Sequence, residues 1–473
     1  MKRVVQLFVL AALGALLVPA LATAAPRMHV GFHDDPNFRY EARRAGMLDQ
    51  ARSANATIVR TLVTWASVAP RRPRNAANPF DPAYRFNDLD EFVRNAQKRD
   101  MEVLITIWGT PRWANGGKTP NYLPKRMSDM TAFSRAVASR YSGRYPGYPY
   151  VRYFSIWNES NLQLFLAPQF DARGRSVAPR NYARLAAAAY AGIKAGNRTA
   201  KVAVGSTSSA GRDRVLKGKS ATHSPGRFAQ LVAAANPRLK FDAWAQHPYP
   251  VPVRMKPTQK VRWPNVTLPS FPRFEQSLDK WFKRKNVRIW ITEYGHEVKQ
   301  DGQPNGITRA QQAAYTAQAL ALARKDPRTD MFIWFVFRDH RTSVWQSGLR
   351  TRSGAPKPAL SRFTTAARTL DARNAFVRVR GGVRNPSLTV PLRAYGEGTR
   401  PGERVGFNVR IFQGGKLVAN GQPAAPFARD ATARISLAGF RPVKGRTYTA
   451  RIEANVFSGG GLVLRRTYTL LGI

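Results

Sequence analysis

Eight short apolar runs recur between Met28 and His340. They are MHVGFHDD (28–35), IVRTLVTW (58–65), EVLITIWGTPRWA (102–114), VRYFSIWNES (151–160), KVAVGSTSS (201–209), FDAWAQHPYP (241–250), VRIWITEYGHE (287–297) and MFIWFVFRDH (331–340). They are rich in Val, Ile and Trp and lack the polar alternation of a strand with one wet face, so they predict strands buried on both sides, as in a parallel sheet. The segments between them carry helical spacing. In 181–197, Tyr182, Leu185, Ala189 and Ile193 fall on one face, with Asn181 in a capping position and Gly196 near the end. Thr308 and Gln311 have the spacing of a capping box ahead of an Ala/Leu-rich helix. Eight β-then-α units predict a closed (β/α)8 TIM barrel over 25–370. The rival, an open doubly wound sheet, usually has fewer strands and a Gly-rich phosphate loop, and no such loop follows the first run.

The pattern changes after Leu370. RVRGGV, SLTVPLRAYG, ERVGFNVRIF, KLVANG, TARISLAG, TYTARIEANVF and LVLRRTYTLL are short alternating segments, with Gly414-Gly415 and Gly459-Gly460-Gly461 placed as hairpin turns. They predict an all-β sandwich of about seven strands, an immunoglobulin-like accessory domain over 371–473. Its aromatics Tyr395, Phe412 and Phe457 do not decide between carbohydrate binding and packing against the barrel. At the other end, Lys2 and Arg3 precede an apolar stretch from Val4 to Ala22, broken only by Gln6 and Pro19, and Ala22-Thr23-Ala24 fits a small-x-small cleavage site. Residues 1–24 therefore read as a secretory signal peptide rather than a retained anchor, Pro19 and the small residues after it favouring cleavage. The expectation is a secreted, extracellular protein with no membrane span after signal cleavage.

Composition narrows the chemistry. The chain has 473 residues, 43% of them hydrophobic, enough for a sizeable core. It has no cysteine, which excludes disulfides, thiol nucleophiles and thiolate metal sites. Lys and Arg number 76 against 28 Asp and Glu, a formal charge of +48. That excess points toward nucleic acid or another polyanion only if it is concentrated. It is not: residues 371–473 hold 17 basic against 5 acidic residues, a density close to that of the rest, and no basic tail or block stands out. Nucleic acid is not the expected partner. An acidic polysaccharide stays open.

In a TIM barrel, function collects at the C-terminal ends of the strands. His33, Asp34 and Asp35 stand there on the first run, Arg60 on the second, and Trp108, Arg112 and Trp113 on the third. Asn158 and Glu159 end the fourth run, His247 and Tyr249 the sixth, Glu293 and Tyr294 the seventh, and Trp334, Arg338 and Asp339 lie on the eighth. Glu159 and Glu293 each follow a run that should be buried, where an unpaired charge is costly. Ion pairing with Arg60 or Arg112 would explain either one alone. Two such carboxylates among Trp residues point to a site. Glycoside hydrolysis needs this pair: one carboxyl to deliver a proton to the leaving oxygen, the other ionised to attack the anomeric carbon. Indole faces would carry sugar C–H groups. The six histidines show no metal-type spacing, and no Walker loop or Gly-x-Ser-x-Gly elbow is present, so no cofactor and no metal is expected.

At these residues IWNESNL resembles the Asn-Glu signature of clan A glycoside hydrolases, the retaining (β/α)8 group, and IWITEYG is similar to that clan's nucleophile segment. GTPRWA, NYARLAAAAYAGIKAGN, FDAWAQHPY and SGLRTRSGAPKPAL are similar to family 39 and to family 5 cellulase-like proteins of actinobacterial type. The resemblance covers about 30–370. It implies Glu159 as acid/base, Glu293 as nucleophile, Asn158 at the sugar 2-hydroxyl, and Arg60 as the group that keeps the nucleophile ionised. It further implies His247 or Tyr249 as the strand-six hydrogen-bonding residue and Trp334 as the strand-eight platform. His33, Trp108 and Trp113 join them as candidate sugar contacts. The clan's Pro after the acid/base Glu is Ser160 here.

The resulting expectation is a glycosidase cleaving a poly- or oligosaccharide by double displacement, its carboxyl groups about 5 Å apart. Two other readings stay open. One is a non-catalytic polysaccharide-binding barrel, against which the presence of both carboxylates counts. The other is a secreted polyanion-binding protein. The glycan, and endo versus exo action, depend on the loops 110–127 and 251–272.

Overall fold

A computed structural model describes residues 28–473, apart from 146–147, 300–305, 342–344, 371–375, 380, 392–403, 422–423, 427–431, 457–461 and 473. The proposed signal segment, the Gly459–Gly461 turn, Tyr395 and Phe457 lie outside the described residues.

Each of the eight apolar runs forms a strand. They are β1 (His29–His33), β2 (Ile58–Thr64), β3 (Glu102–Trp108), β4 (Tyr153–Ile156), β5 (Lys201–Ser208), β6 (Ala243–His247), β7 (Arg288–Tyr294) and β8 (Thr329–Phe335). They pair in sequence order, all parallel, and β8 returns to β1 with His29 opposite Met331 and His33 opposite Phe335, closing the barrel. At Gly31 a Cβ would sit 1.7 Å from the Ile58 carbonyl oxygen, so only glycine allows the β1–β2 approach.

Alternation along the strands sorts side chains inward and outward. Ile58, Leu104, Ala203, Ala243, Ala245, Trp290, Met331 and Ile333 pack together as the inner cluster. The outward set, including Val59, Val103, Phe154, Val204, Trp244, Phe332 and Trp334, packs against the surrounding helices. Two residues above the inner apolar layer, the same parity brings in Arg60 and Thr106, and Arg60 Nε donates to Thr106 Oγ1 at 2.8 Å. Polar groups thus replace apolar ones at the level where the strands end. Asp34 ties the barrel seam there, accepting the backbone N–H groups of Phe337 (3.1 Å) and Arg338 (2.9 Å). Burial pushes its carboxyl up to about 6, against the pull of these hydrogen bonds.

The helix Ala178–Gly196 buries Tyr182, Leu185, Ala189 and Ile193 on one face. Asn181 is not its cap: the helix starts three residues earlier behind Val177, with Pro179 in the first turn, where a missing N–H costs nothing. Thr308 caps the helix Arg309–Lys325, accepting from the Gln311 N–H, while the Gln311 side chain accepts from the Thr308 N–H. Among the described residues, no helix is long and apolar enough to cross a membrane.

Eight further strands follow: β9 (Phe376–Val379), β10 (Ser387–Pro391), β11 (Arg404–Gln413), β12 (Lys416–Gly421), β13 (Ala424–Pro426), β14 (Thr432–Ser436), β15 (Thr447–Val456) and β16 (Leu462–Gly472). Seven answer to the alternating segments, and the short β13 is additional. β10 and β14 pair in one sheet. The other runs β12-β11-β15-β16-β9, with β13 also on β11, and every pairing is antiparallel except β9 with β16. Phe407, Val409 and Ile411 of β11, Ala450 and Ile452 of β15, Leu388 of β10 and Ile435 of β14 are buried. Gly414 and Gly415 take φ of 53° and 83° in the β11–β12 turn.

Candidate active site

Glu159 follows β4 in a backbone that L-residues rarely adopt: φ is 69° at Trp157 and 35° at Glu159. The turn is held on both sides. The Trp157 indole N–H donates to the Phe165 carbonyl at 2.7 Å, and Ser160 Oγ donates to the Gly205 carbonyl at 2.6 Å. Asn161 completes the clamp, its Nδ2 donating to the His223 carbonyl and its Oδ1 accepting the Ser208 N–H, both at 2.8 Å. Ser160, where the clan has Pro, therefore anchors this loop to β5 through a buried hydrogen bond.

Glu293, near the end of β7, is buried and fully engaged. Arg60 Nη1 donates to its Oε1, and the Tyr249 hydroxyl donates to Oε2 at 3.1 Å. Arg60 Nη2 donates to Asn158 Oδ1 at 2.8 Å, so one guanidinium aligns Asn158 and Glu293 from β2. Arg60 is itself wholly buried and also meets His33, its Nη1 lying 3.0 Å from His33 Nδ1. His33 in turn lies 3.3 Å from Asp35 through Nε2. His247 stands between the two acids, Nδ1 being 3.2 Å from Glu159 Oε1 and 3.5 Å from Glu293 Oε2. One oxygen of each carboxylate and that ring nitrogen all lie within 4.8 Å of one another, a donor set that could also hold a cation.

Burial alone would raise the Glu293 carboxyl, but the pull of His247 and Arg60, with His33 behind them, holds it well below the usual carboxylate range. Tyr249 moves the opposite way: burial, then the charges of Glu293 and Glu159, keep its hydroxyl protonated far above neutrality.

The remaining sequence candidates divide. Trp108 is half-buried beside Trp157 and Phe165, and its indole N–H donates to the Phe165 carbonyl at 3.3 Å. Trp113 lies edge-on to Trp65, with the Arg72 guanidinium 4.4 Å from its ring centre, so that face is covered. Trp334 is wholly buried. It packs on Tyr294 and donates its N–H to the Ser347 carbonyl at 2.9 Å, so its face is not open to a sugar. The parity that sends Met331 and Ile333 inward sends Phe335 inward too and Trp334 out to the helices. Phe335, half-buried and tilted against His33 with centroids 5.2 Å apart, is the strand-eight aromatic at the site.

Sequence reasoning also missed Trp345, whose ring stands edge-to-face on Tyr249 at 5.2 Å, and Asp35 as the partner of His33. Asp35 had a signal, being two residues from His33. Trp345 had none, because it lies in the loop after β8. Arg112 is exposed, and Arg338 turns its guanidinium to the Arg352 carbonyl.

Residues 30–336 match the model of the family described as Cellulase (glycosyl hydrolase family 5). No curated protein matches the chain. Among solved structures, a family 39 glycoside hydrolase from the gut symbiont Bacteroides cellulosilyticus WH2 is similar with a TM-score of 0.53 at 17% identity, over 87% of this chain and 81% of that one. GH5_18 from Streptomyces cattleya, in complex with GlcNAc, is similar with a TM-score of 0.53 at 14% identity, over 76% of this chain and 86% of that one. At these identities the likeness to both is one of fold.

Proposed function

Since the chain belongs to glycosyl hydrolase family 5, we propose that it is a secreted, retaining glycosidase that cleaves O-glycosidic bonds of a poly- or oligosaccharide, with Glu293 as nucleophile and Glu159 as acid/base. The observation that carries this reading is the placing of the two acids: an oxygen from each lies within 4.8 Å of the other and of His247 Nδ1. That spacing suits direct attack, whereas an inverting pair stands roughly 6.5–9.5 Å apart to admit water.

In the first step Glu293, ionised because Arg60 and its neighbours stabilise its charge, attacks C1. Glu159 gives its proton to the departing glycosidic oxygen. In the second step Glu159 takes a proton from water, which adds to C1 and releases Glu293. Arg60 and Tyr249 hold the Glu293 carboxylate in place, and Asn158, fixed by Arg60, offers its amide to the neighbouring sugar hydroxyl. His247 spans both acids, and Phe335 and Trp345 supply apolar walls. The apolar stretch at 4–22 supports export.

The test is hydrolysis of a glycan panel by the full chain, with the anomer formed first followed by NMR. Retention of configuration is expected, together with loss of nearly all activity in Glu159→Gln and Glu293→Gln while their circular dichroism stays unchanged. An inverted product would overturn the mechanism, and near-normal activity of both variants would overturn the site.

A further inference from the structure

The catalytic loop after β4 is stitched on both sides to its neighbours. Ala167 N–H donates to the Asn121 carbonyl in the loop after β3, at 2.9 Å, and Gln163 N–H donates to the Ala221 carbonyl in the loop after β5, at 3.0 Å. The loop after β6 joins next, its Val266 N–H donating to the Ser209 carbonyl at 2.9 Å. The rim on the Glu159 side is therefore built from three loops, 110–127, 209–224 and 251–272.

These loops have an uneven charge. Arg112, Lys118, Lys125 and Arg126 lie in the first, and Arg254, Lys256, Lys260 and Arg262 in the last, all eight exposed, with no Asp or Glu in either. Of these, Arg126 pairs with Asp129. The middle loop adds Arg212, Arg214, Lys217 and Lys219, all exposed, against Asp213, whose oxygens accept from the Ser224 N–H and hydroxyl. The loop after β1, 34–43, on the other side of the barrel, carries Asp34, Asp35 and Glu41 against Arg39 and Arg43. The loops after β3 and β6 thus present cations that no acid of their own counters, whereas the loop after β1 mixes both signs.

The aromatics of the same rim point the same way. A neutral glycan binds by laying C–H faces on bare rings. Within these three loops the half-buried rings Trp113, Tyr122 and Trp263 each have a cation over them: Arg72 lies 4.4 Å from the Trp113 centre, Lys118 lies 4.8 Å from Tyr122, and Arg273 lies 4.5 Å from Trp263. What the rim offers beyond the catalytic centre is guanidinium and ammonium groups backed by rings, a surface suited to anions.

Resting on the glycosidase reading, we infer that the substrate is an acidic glycan, whose carboxylate, sulfate or phosphate groups lie along the rim formed by the loops after β3, β5 and β6. The part of the chain leaving past Glu159 runs over this rim. The cations draw a polyanion toward the mouth and hold it across the scissile bond, and salt screens both effects.

The experiment compares xylan and mannan as neutral glycans with alginate (carboxylates) and a sulfated galactan (sulfates), using the full chain at low and high NaCl. Cleavage is measured with the wild type, and binding with the inactive Glu159→Gln variant. An acidic polymer is expected to be cleaved in preference, with KM rising about tenfold in high salt. The variant Lys118→Ser/Lys125→Ser/Lys256→Ser/Lys260→Ser should raise KM about as much at unchanged kcat, whereas Lys240→Ser/Lys285→Ser, at the opposite end of the barrel, should leave KM alone. The arm that is cleaved tells carboxylate from sulfate. Preferential cleavage of xylan or mannan with a salt-independent KM overturns this inference and leaves the proposed function standing. Salt-sensitive binding of acidic glycans with no cleavage of any glycan overturns the proposed function and supports the basic rim as an anion-binding surface.

Discussion

Tyr249 donates its hydroxyl to Oε2 of Glu293 across 3.1 Å, inside a site where Arg60 already holds Oε1. The carboxylate that would attack is thus fixed at both oxygens by groups from β2 and from the loop after β6.

Replacing Tyr249 by Phe removes one hydrogen bond to a buried charge and leaves the packing on Tyr294 and Trp345 in place. A hydrogen bond to a charged group contributes roughly 1.5–3 kcal/mol to stability, so Tm should fall by a few degrees, and kcat should fall because the attacking carboxylate loses one of the two groups that fix it. Steady-state kinetics and a thermal melt read the two effects separately. Unchanged kcat would mean that Tyr249 only packs.

Arg60 is wholly buried and serves Glu293, Asn158, His33 and Thr106. Arg60→Met strips Oε1 of the buried Glu293 of its guanidinium partner, leaving only Tyr249 and His247 at the other oxygen, and should cost roughly 3 kcal/mol in a denaturant titration. In Arg60→Lys, which keeps a charge, the acid limb of kcat/KM should move to higher pH. The sign follows from the shift: Glu293 is held below the ordinary value and must be ionised to react, so weakening its partner lets its proton return at higher pH. The same depression stabilises the fold above the unfolded carboxylate value, and that stability is lost as pH falls through the folded value.

Glu275 is buried on the helix Phe271–Trp281, and desolvation, with Asp326 beside it, pushes its carboxyl up to about 9. A folded value above the unfolded one contributes stability that is complete below the unfolded value and lost as pH rises through about 9. Glu275→Gln should therefore be more stable than the wild type at pH ~8, by on the order of 1–3 kcal/mol, and the gain should disappear near pH ~4. Melts across that range measure it. A pH-independent difference would contradict the assignment.

Lys357 Nζ lies 2.6 Å from Asp339 Oδ2 with both side chains sealed from solvent, and Asp339 also accepts the Gly348 N–H at 2.8 Å. Lys357→Met should destabilise by roughly 3–5 kcal/mol by stranding Asp339, and the double variant with Asp339→Leu should recover part of that loss. A double-mutant cycle showing no coupling would refute the pairing.

Most of the barrel was legible in the primary structure because parallel strands buried on both faces must be apolar along their whole length, and such runs stand out against amphipathic helices. The same logic located Glu159 and Glu293, since an acid at the end of an apolar run has little structural reason to be there. The capping box at Thr308 was readable for a related reason: all its parts lie within four residues. The aromatic of β8 was not. Whether Trp334 or Phe335 faces inward depends on a one-residue register, and both are large and apolar. The closed sheet decides it, by setting Met331, Ile333 and Phe335 on one parity. Asn181 failed as a cap because Pro179 can begin a helix upstream of any polar residue.

Sequence by itself determined which residues are buried as barrel strands, how many strands the barrel has and which two acids follow them at its mouth, because those properties follow from local patterns of polarity. The tertiary structure alone decided that His247 bridges both acids, that one guanidinium from β2 serves Asn158 and Glu293, and that Trp345 reaches Tyr249. These are distances between residues tens to hundreds of positions apart, and they come into being only when the eighth strand closes on the first.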